Sequence, residues 1–192
     1  MTSNNDSKSK LLMGFLTVVE HPQHGLFGGY LVLNHLGRPL EFHCTAPIKP
    51  NRAQQILYGP TLEAFLYGEQ IGQTLIGRAG AAAQLICTDR QPVMAAREHI
   101  ATPLALVLPG SDEPVVEPSE SSGRVFRVDA AHHGPRLVTF QLGRNRLALP
   151  ESAEDDRRQI TEQLAELADS FDLAEPFQRI REAIEEAQQA VR

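Results

Sequence analysis

Six residues carry most of the chemistry open to this chain: the carboxylates Glu20, Glu63 and Asp89, the imidazole of His43, and the thiols of Cys44 and Cys87. Carboxylates gathered on one face hold divalent cations, and an imidazole beside a thiol or hydroxyl activates a nucleophile. Each pattern needs a matching spacing. His43 and Cys44 are neighbours in an alternating run, so their side chains leave opposite faces of a strand. A Cys–His pair would therefore need Cys44 or Cys87 to meet another histidine, such as His99. His21-Pro22-Gln23-His24 has an i, i+3 spacing but sits in a turn, and His132-His133 is a loop pair whose side chains diverge. A fixed metal centre wants ligands anchored on helices or strands, so no metal site is predicted. Gly25-Leu26-Phe27-Gly28-Gly29 precedes a strand rather than opening a helix, and Gly77-Arg78-Ala79-Gly80-Ala81 closes one. Neither forms the amide cradle of a nucleotide loop, and no cofactor is predicted.

These residues are positioned by a clear order of elements. Phe15-Leu16-Thr17-Val18-Val19 and Tyr30-Leu31-Val32-Leu33 are short apolar strands separated by glycine-containing turns. Asn34 to Pro39 reads as a turn, and Leu40-Glu41-Phe42-His43-Cys44-Thr45 then alternates strictly. That alternation predicts Leu40, Phe42 and Cys44 toward the core, with Glu41, His43 and Thr45 forming a polar binding face. Asn51 caps a short helix through Leu57. A longer helix follows Pro60, with Leu62, Phe65, Leu66, Ile71 and Leu75 as its apolar stripe. Ala83 to Thr88 and Leu104 to Leu108 are buried strands flanking a short helix from Pro92 to His99. The fold class is thus α/β with a mixed, α+β-like sheet: an antiparallel three-strand meander, then helix-strand-helix-strand, with an added β-hairpin and a C-terminal helical pair.

Charge divides the chain further. Residues 1–108 hold 8 Lys/Arg against 7 Asp/Glu, and 109–123 hold four acids and no base. Residues 124–150 hold 5 Arg against one Asp, and 151–192 hold 5 Arg against 12 acids, within a total of -6. The predicted organisation is a disordered tail over 1–13, a core domain over 14–108 and an acidic Pro/Ser-rich linker or loop over 109–123. An Arg-rich hairpin packed on the core spans 124–150, and an acidic helical pair spans 151–192. The hairpin joins Arg124–Asp129 to Arg136–Leu142, with Arg146–Leu149 as a further short strand. Its arginines are expected to meet the acidic tail of the same chain. An acidic chain repels a polyanion, so nucleic acid is set aside as a partner. No apolar run approaches the roughly 20 residues of a membrane helix. With two cysteines in predicted buried strands and no signal peptide, the chain is expected to be soluble and cytoplasmic, with reduced thiols.

In the tail, Ser152 with Asp155 resembles a capping box, and Ile160, Leu164, Leu167 and Phe171 mark one helical face. Asp172 caps a second helix whose seam runs through Phe177, Ile180, Ile184, Ala187 and Val191. Phe177, Ile180 and Ile184 are expected to dock on the protein's own core, or to act as an interaction seam for a protein partner or homodimer. Arg179, Arg181, Glu182 and Glu185 lie off that seam, on a solvated face.

The order of three meander strands, helix, strand, helix and strand resembles that of ribonuclease H-like folds. The resemblance implies carboxylates on the first strand, the first helix and the end of the fourth strand, holding two divalent cations. Glu63 falls on the long helix and Asp89 ends the fourth strand. The first strand carries Thr17 at its middle and an acid only at its end, Glu20. The expectation is a non-catalytic binding or accessory module, its ligand position at the mouth of the sheet near Asp89. The alternatives are a metal-dependent phosphodiester hydrolase, intact or degenerate, or another hydrolase using His43.

Overall fold

Successive residues of a strand face opposite ways, and the first strand of this protein is apolar on both faces. β1 (Leu12–His21) buries Met13 through Val18 completely, which requires a layer on each side. The computed structural model, which describes residues 11–109 and 136–189, supplies both. β2 (Gly25–Asn34) and β3 (Pro39–Cys44) complete the antiparallel meander, while β4 (Leu85–Thr88) lies parallel to β1 and β5 (Leu104–Leu108) parallel to β4. β6 (Leu137–Leu142) and β7 (Asn145–Pro150) form a hairpin that continues the sheet. The seven strands run in the order β3-β2-β1-β4-β5-β7-β6.

One face of the sheet is covered by the helical stretch following α1 (Arg52–Tyr58). Asn51 and Gln54 close a full capping box on α1. After a 3-10 turn, α2 (Leu62–Ala64) passes into a π-helix over Phe65–Gln73 and ends as α3 (Thr74–Arg78). The sequence pattern predicts an ordinary α-helix here, because spacings of three and four over so short a run do not separate α from π winding. Gly68 and Gly72 weaken the α form. Gly68 also lets the 3-10 segment Gln91–His99 approach, since a Cβ there would overlap Ala95 and Ala96.

The other face is covered by α5 (Glu175–Gln189), which follows α4 (Glu154–Leu164). Phe177, Ile180 and Ile184 are all buried, and Phe177 packs edge-on against Phe15 at 5.7 Å between ring centroids. Asp172 accepts from the Ala174 amide just before the helix. Gly28 and Gly29 on β2 seat the two layers. A Cβ at Gly28 would overlap Ile71 and Leu75 of the long helix, and one at Gly29 would overlap Ile180 and Ile184 of α5. The remaining tail is tied down by polar contacts. Arg97 forks onto Asp156 of α4 at 2.7 and 3.0 Å. Buried Asn145 donates to the Ala168 and Phe171 carbonyls and accepts from the Leu173 amide.

Several expectations are corrected. β3 is an edge strand, so Leu40 and Phe42 are 50% and 39% exposed and Cys44 is exposed as well, while Cys87 is buried. Alternation sets two faces, but only coverage decides which is inside. α4 starts after Ala153 without a side-chain cap, so Ser152 does not close the predicted box, and the helix ends at Leu164 before Leu167 and Phe171. Ala187 is exposed, so the seam of α5 stops at Ile184. The first strand begins at Leu12, inside the stretch expected to be a tail. Arg146–Leu149 lies within β7, paired to β5 on one side and β6 on the other. The proposed strand Arg124–Asp129, His132-His133, Val191 and all but Pro109 of the acidic linker lie outside the described residues. Among the described residues no helix is long and apolar enough to cross a membrane.

Gly29→Ala should lower stability by about 1–3 kcal/mol, because the β-branched Ile180 and Ile184 cannot both turn away. Gly77→Ala, in α3 with nothing within 4 Å of an added Cβ, should instead raise it by about 0.4–1 kcal/mol. Urea unfolding of the two variants measures both, and equal effects would contradict the seating role of Gly29.

Candidate functional site

In a sheet with parallel neighbours, ligands collect beyond the carboxyl ends of the strands. Here that mouth is framed by the ends of β1 and β4, whose register pairs Leu16 with Thr88 and so brings Thr17 beside Asp89. Thr17 donates its hydroxyl proton to Asp89 at 2.6 Å. From α5, Arg181 reaches the other Asp89 oxygen in an ion pair, with the carboxylate side chain only 17% exposed. Arg181 therefore belongs to this contact rather than to the solvated face expected for it. The same holds for Arg179, whose guanidinium donates to the Gly37 carbonyl at 3.2 Å and pairs with Glu175 at 3.1 Å.

Glu20 stands on the opposite face. It alternates with Val18, which lies beside Gly28 and hence under the long helix. From the π-helical turn, Tyr67 donates to Glu20 at 2.5 Å. Burial of the Tyr67 phenol raises its pKa, the Glu20 hydrogen bond and the charges of Glu20 and Glu63 raise it further, and Arg90 opposes them. Tyr67 is thus a protonated donor at neutral pH, not a base. Glu63 is exposed on α2, one turn before Tyr67.

The three carboxylates predicted to converge therefore divide. Glu20 and Glu63 lie on the long-helix side, and Asp89 faces α5 with a cationic side chain already on it. Two-metal hydrolysis needs carboxylates aimed at shared cations a few ångströms apart. Among the described residues no group of three or more His, Cys, Asp or Glu side chains is gathered as metal ligands.

His43, Glu41 and Thr45 do share a face, as β3 alternation requires, and all three are half-buried. His43 Nε2 lies 3.0 Å from Glu41, and Glu41 accepts the Gly80 and Ala81 amides at 2.9 and 2.6 Å. Thr45 accepts from the Gly28 amide at 2.9 Å. Together they fasten the edge strand to the end of α3 and to β2. The Cys44 thiol leaves the other face, so His43 has no thiol to activate there. The hydrogen bond to His43, with the two amides, holds the Glu41 carboxyl below its ordinary value against the opposing effect of desolvation. His99 lies 3.8 Å from Glu69. His21 accepts the Gln23 and His24 amides at 3.2 Å and packs at a tilt against the His24 ring, 4.5 Å between centroids, stapling the β1–β2 turn.

Sequence reasoning placed Asp89 at the mouth and Glu20 at the end of the first strand, but it set Thr17 at that strand's middle and missed Tyr67 and the contact of Arg181 with Asp89. A tyrosine on the buried stripe of a glycine-rich helix was the available signal for the first. Nothing local marked Arg181, which acts across 92 positions.

No family model matches the sequence, and no curated protein matches it. Among solved structures, the chain is similar to Ciona intestinalis endonuclease V in complex with an inosine-containing DNA, at 14% identity and a TM-score of 0.34. The match covers 53% of this chain and 46% of that one, so this chain spans less than half of that enzyme. The expectations about partners are corrected on two counts. The seam of Phe177, Ile180 and Ile184 lies in the core, so it presents no surface to a protein partner or second copy. The setting aside of nucleic acid is withdrawn as well, because the net charge of -6 on which it rested does not describe the charge of any one surface.

The Glu41 latch has a pH signature. Its carboxyl titrates lower when folded than the ordinary 4.5, so the unfolded chain binds the proton first as pH falls. The latch's contribution is complete above that value and disappears as pH drops through the folded pKa. Glu41→Gln should therefore lower the urea midpoint at neutral pH, with the gap to the parent narrowing below pH of about 4. A gap that stays constant into acid would contradict the latch.

Proposed function

We propose that this chain is a non-catalytic ligand-binding module with a ribonuclease H-like order of strands and helices, whose ligand position is the mouth of the sheet. The observation that carries this reading is the state of Asp89. The carboxylate that a two-metal centre would spend on cations is bridged by Thr17 and paired to Arg181. A guanidinium on a carboxylate neutralises it and occupies the directions from which a cation would be bound. Glu20 and Glu63 lie across the sheet from it, and Thr17 stands where the resemblance calls for an acid. The Tyr67 proton is held too firmly for base catalysis, and His43 is held by Glu41. What remains is a rim of fixed donors and acceptors suited to holding a molecule.

A divalent-cation assay tests this. Labelled single- and double-stranded DNA and RNA, incubated with the full chain and Mg2+ or Mn2+, should stay intact. Neither a chelator nor added Mn2+ should move the melting temperature. Arg181→Gln should lower stability by about 1–3 kcal/mol, since Asp89 loses its charged partner, and should still cleave nothing. Cation-dependent cleavage that disappears in Asp89→Asn would overturn the proposal in favour of metal-assisted phosphodiester hydrolysis.

A further inference from the structure

Large apolar side chains stand in water at few places among the described residues, and most are ordinary: Leu36 on a turn, and Leu40, Phe42 and Val138 on the two edge strands. α1 is different. It is 7 residues long and buries none of them, and its consecutive Ile56 and Leu57 are 64% and 82% exposed. A helix so short is marginal by itself, and burial does not hold this one. Its ends do. Asn51 and Gln54 close the capping box, the Gly59 amide donates to the Gln55 carbonyl at a positive φ, and Tyr58 stacks on Phe65 with ring centroids 4.2 Å apart. The result is a fixed, convex tip that presents two aliphatic side chains to solvent.

The charges beside the tip narrow what could cover it. Arg52 is exposed and lies four residues before Ile56, on the same side of the helix, where it donates to Gln55 at 3.4 Å. Lys49 comes just before the helix, its ammonium on the Gln23 carbonyl. Between Glu41 and Glu63 these two are the sole Lys, Arg, Asp or Glu residues, so the stretch is cationic in a chain of net charge -6. The next acid, Glu63, lies on α2, past the Gly59–Thr61 turn. α1 adjoins α2 at the head of the long-helix layer, whereas α5, with exposed Glu182, Glu185 and Glu186, covers the opposite face of the sheet. Charge is thus unevenly distributed, and an anionic surface would meet the α1 side first.

We infer that α1 is a contact for the surface of an anionic lipid bilayer. Ile56 and Leu57 enter the boundary between headgroups and acyl chains, while Arg52 and Lys49 meet the anionic headgroups. A bilayer yields to a protrusion, so the convex tip needs no matching groove. The helix lies on the membrane and does not cross it, being 7 residues long. This contact is separate from the mouth of the sheet and does not depend on what binds there.

Co-sedimentation of the full chain with vesicles tests it, using equimolar phosphatidylcholine and phosphatidylserine against phosphatidylcholine alone. The protein should bind the anionic vesicles, bind the neutral ones about tenfold or more weakly, and detach as salt is raised. Ile56→Ser and Leu57→Ser should each lose about tenfold or more in affinity, since each removes one inserted aliphatic side chain. Arg52→Gln should lose about fivefold. All three variants should melt at the parent's temperature, because the side chains they change are exposed in the free protein. The chain contains no tryptophan, so Leu57→Trp supplies a single reporter, whose emission should shift to the blue on anionic vesicles as the ring leaves water. Failure to co-sediment, equal affinity for the two kinds of vesicle, or unshifted emission of bound Leu57→Trp would each overturn the contact. So would a concentration-dependent dimer that Leu57→Ser dissolves, which would give the tip to a second copy of the chain.

Discussion

Two successive glycines on β2 determine how the two helical layers meet the sheet. Gly28 and Gly29 point to opposite faces, and each leaves room for a pair of aliphatic side chains, Ile71 and Leu75 on one side and Ile180 and Ile184 on the other. Protein interiors are close-packed, so a methyl group at either position would push a whole helix outward. The seating is directly tied to the polar site. The α5 helix that drops Ile180 onto Gly29 carries Arg181 to Asp89, and the helical stretch that drops Ile71 onto Gly28 carries Tyr67 to Glu20. Packing and electrostatics at the mouth are therefore one arrangement.

The pleat of the sheet then sorts the carboxylates. Glu20 leaves on the long-helix side, while Thr17 and Asp89 leave toward α5. Each side of the sheet holds its own carboxylate with its own donor: a phenol for Glu20, and a hydroxyl and a guanidinium for Asp89. A charge in a partly buried setting needs such partners, because desolvation without them costs several kcal/mol. Thr17 and Arg181 together engage both oxygens of Asp89.

At the edge of the sheet the balance is different. β3 has no strand beyond it, and its apolar residues Leu40 and Phe42 remain exposed. What holds it is polar: Glu41 on two amides and on His43, and Thr45 on Gly28. The residues that looked most like a binding face serve as a fastening. The glycine-weakened helix next to it took up π winding, which suits the close approach of Gly68 to Ala95 and Ala96.

Local pattern by itself determined the strands, their meander, the order of elements through β5, the Asn51 cap and the apolar spacing of Phe177, Ile180 and Ile184. Each of these depends on contacts within a few residues, where side-chain period and turn chemistry are decisive. The tertiary structure alone decided which side of β3 is covered, that α5 turns its seam inward, that part of the long helix is π, and which partners Glu20 and Asp89 receive. The physical reason is separation along the chain. Tyr67 and Glu20 are 47 positions apart and Arg181 and Asp89 are 92 apart, so no periodicity links them. Alternation assigns Glu41 and Phe42 to opposite faces without saying which face a helix will cover. That choice is made only when the layers pack.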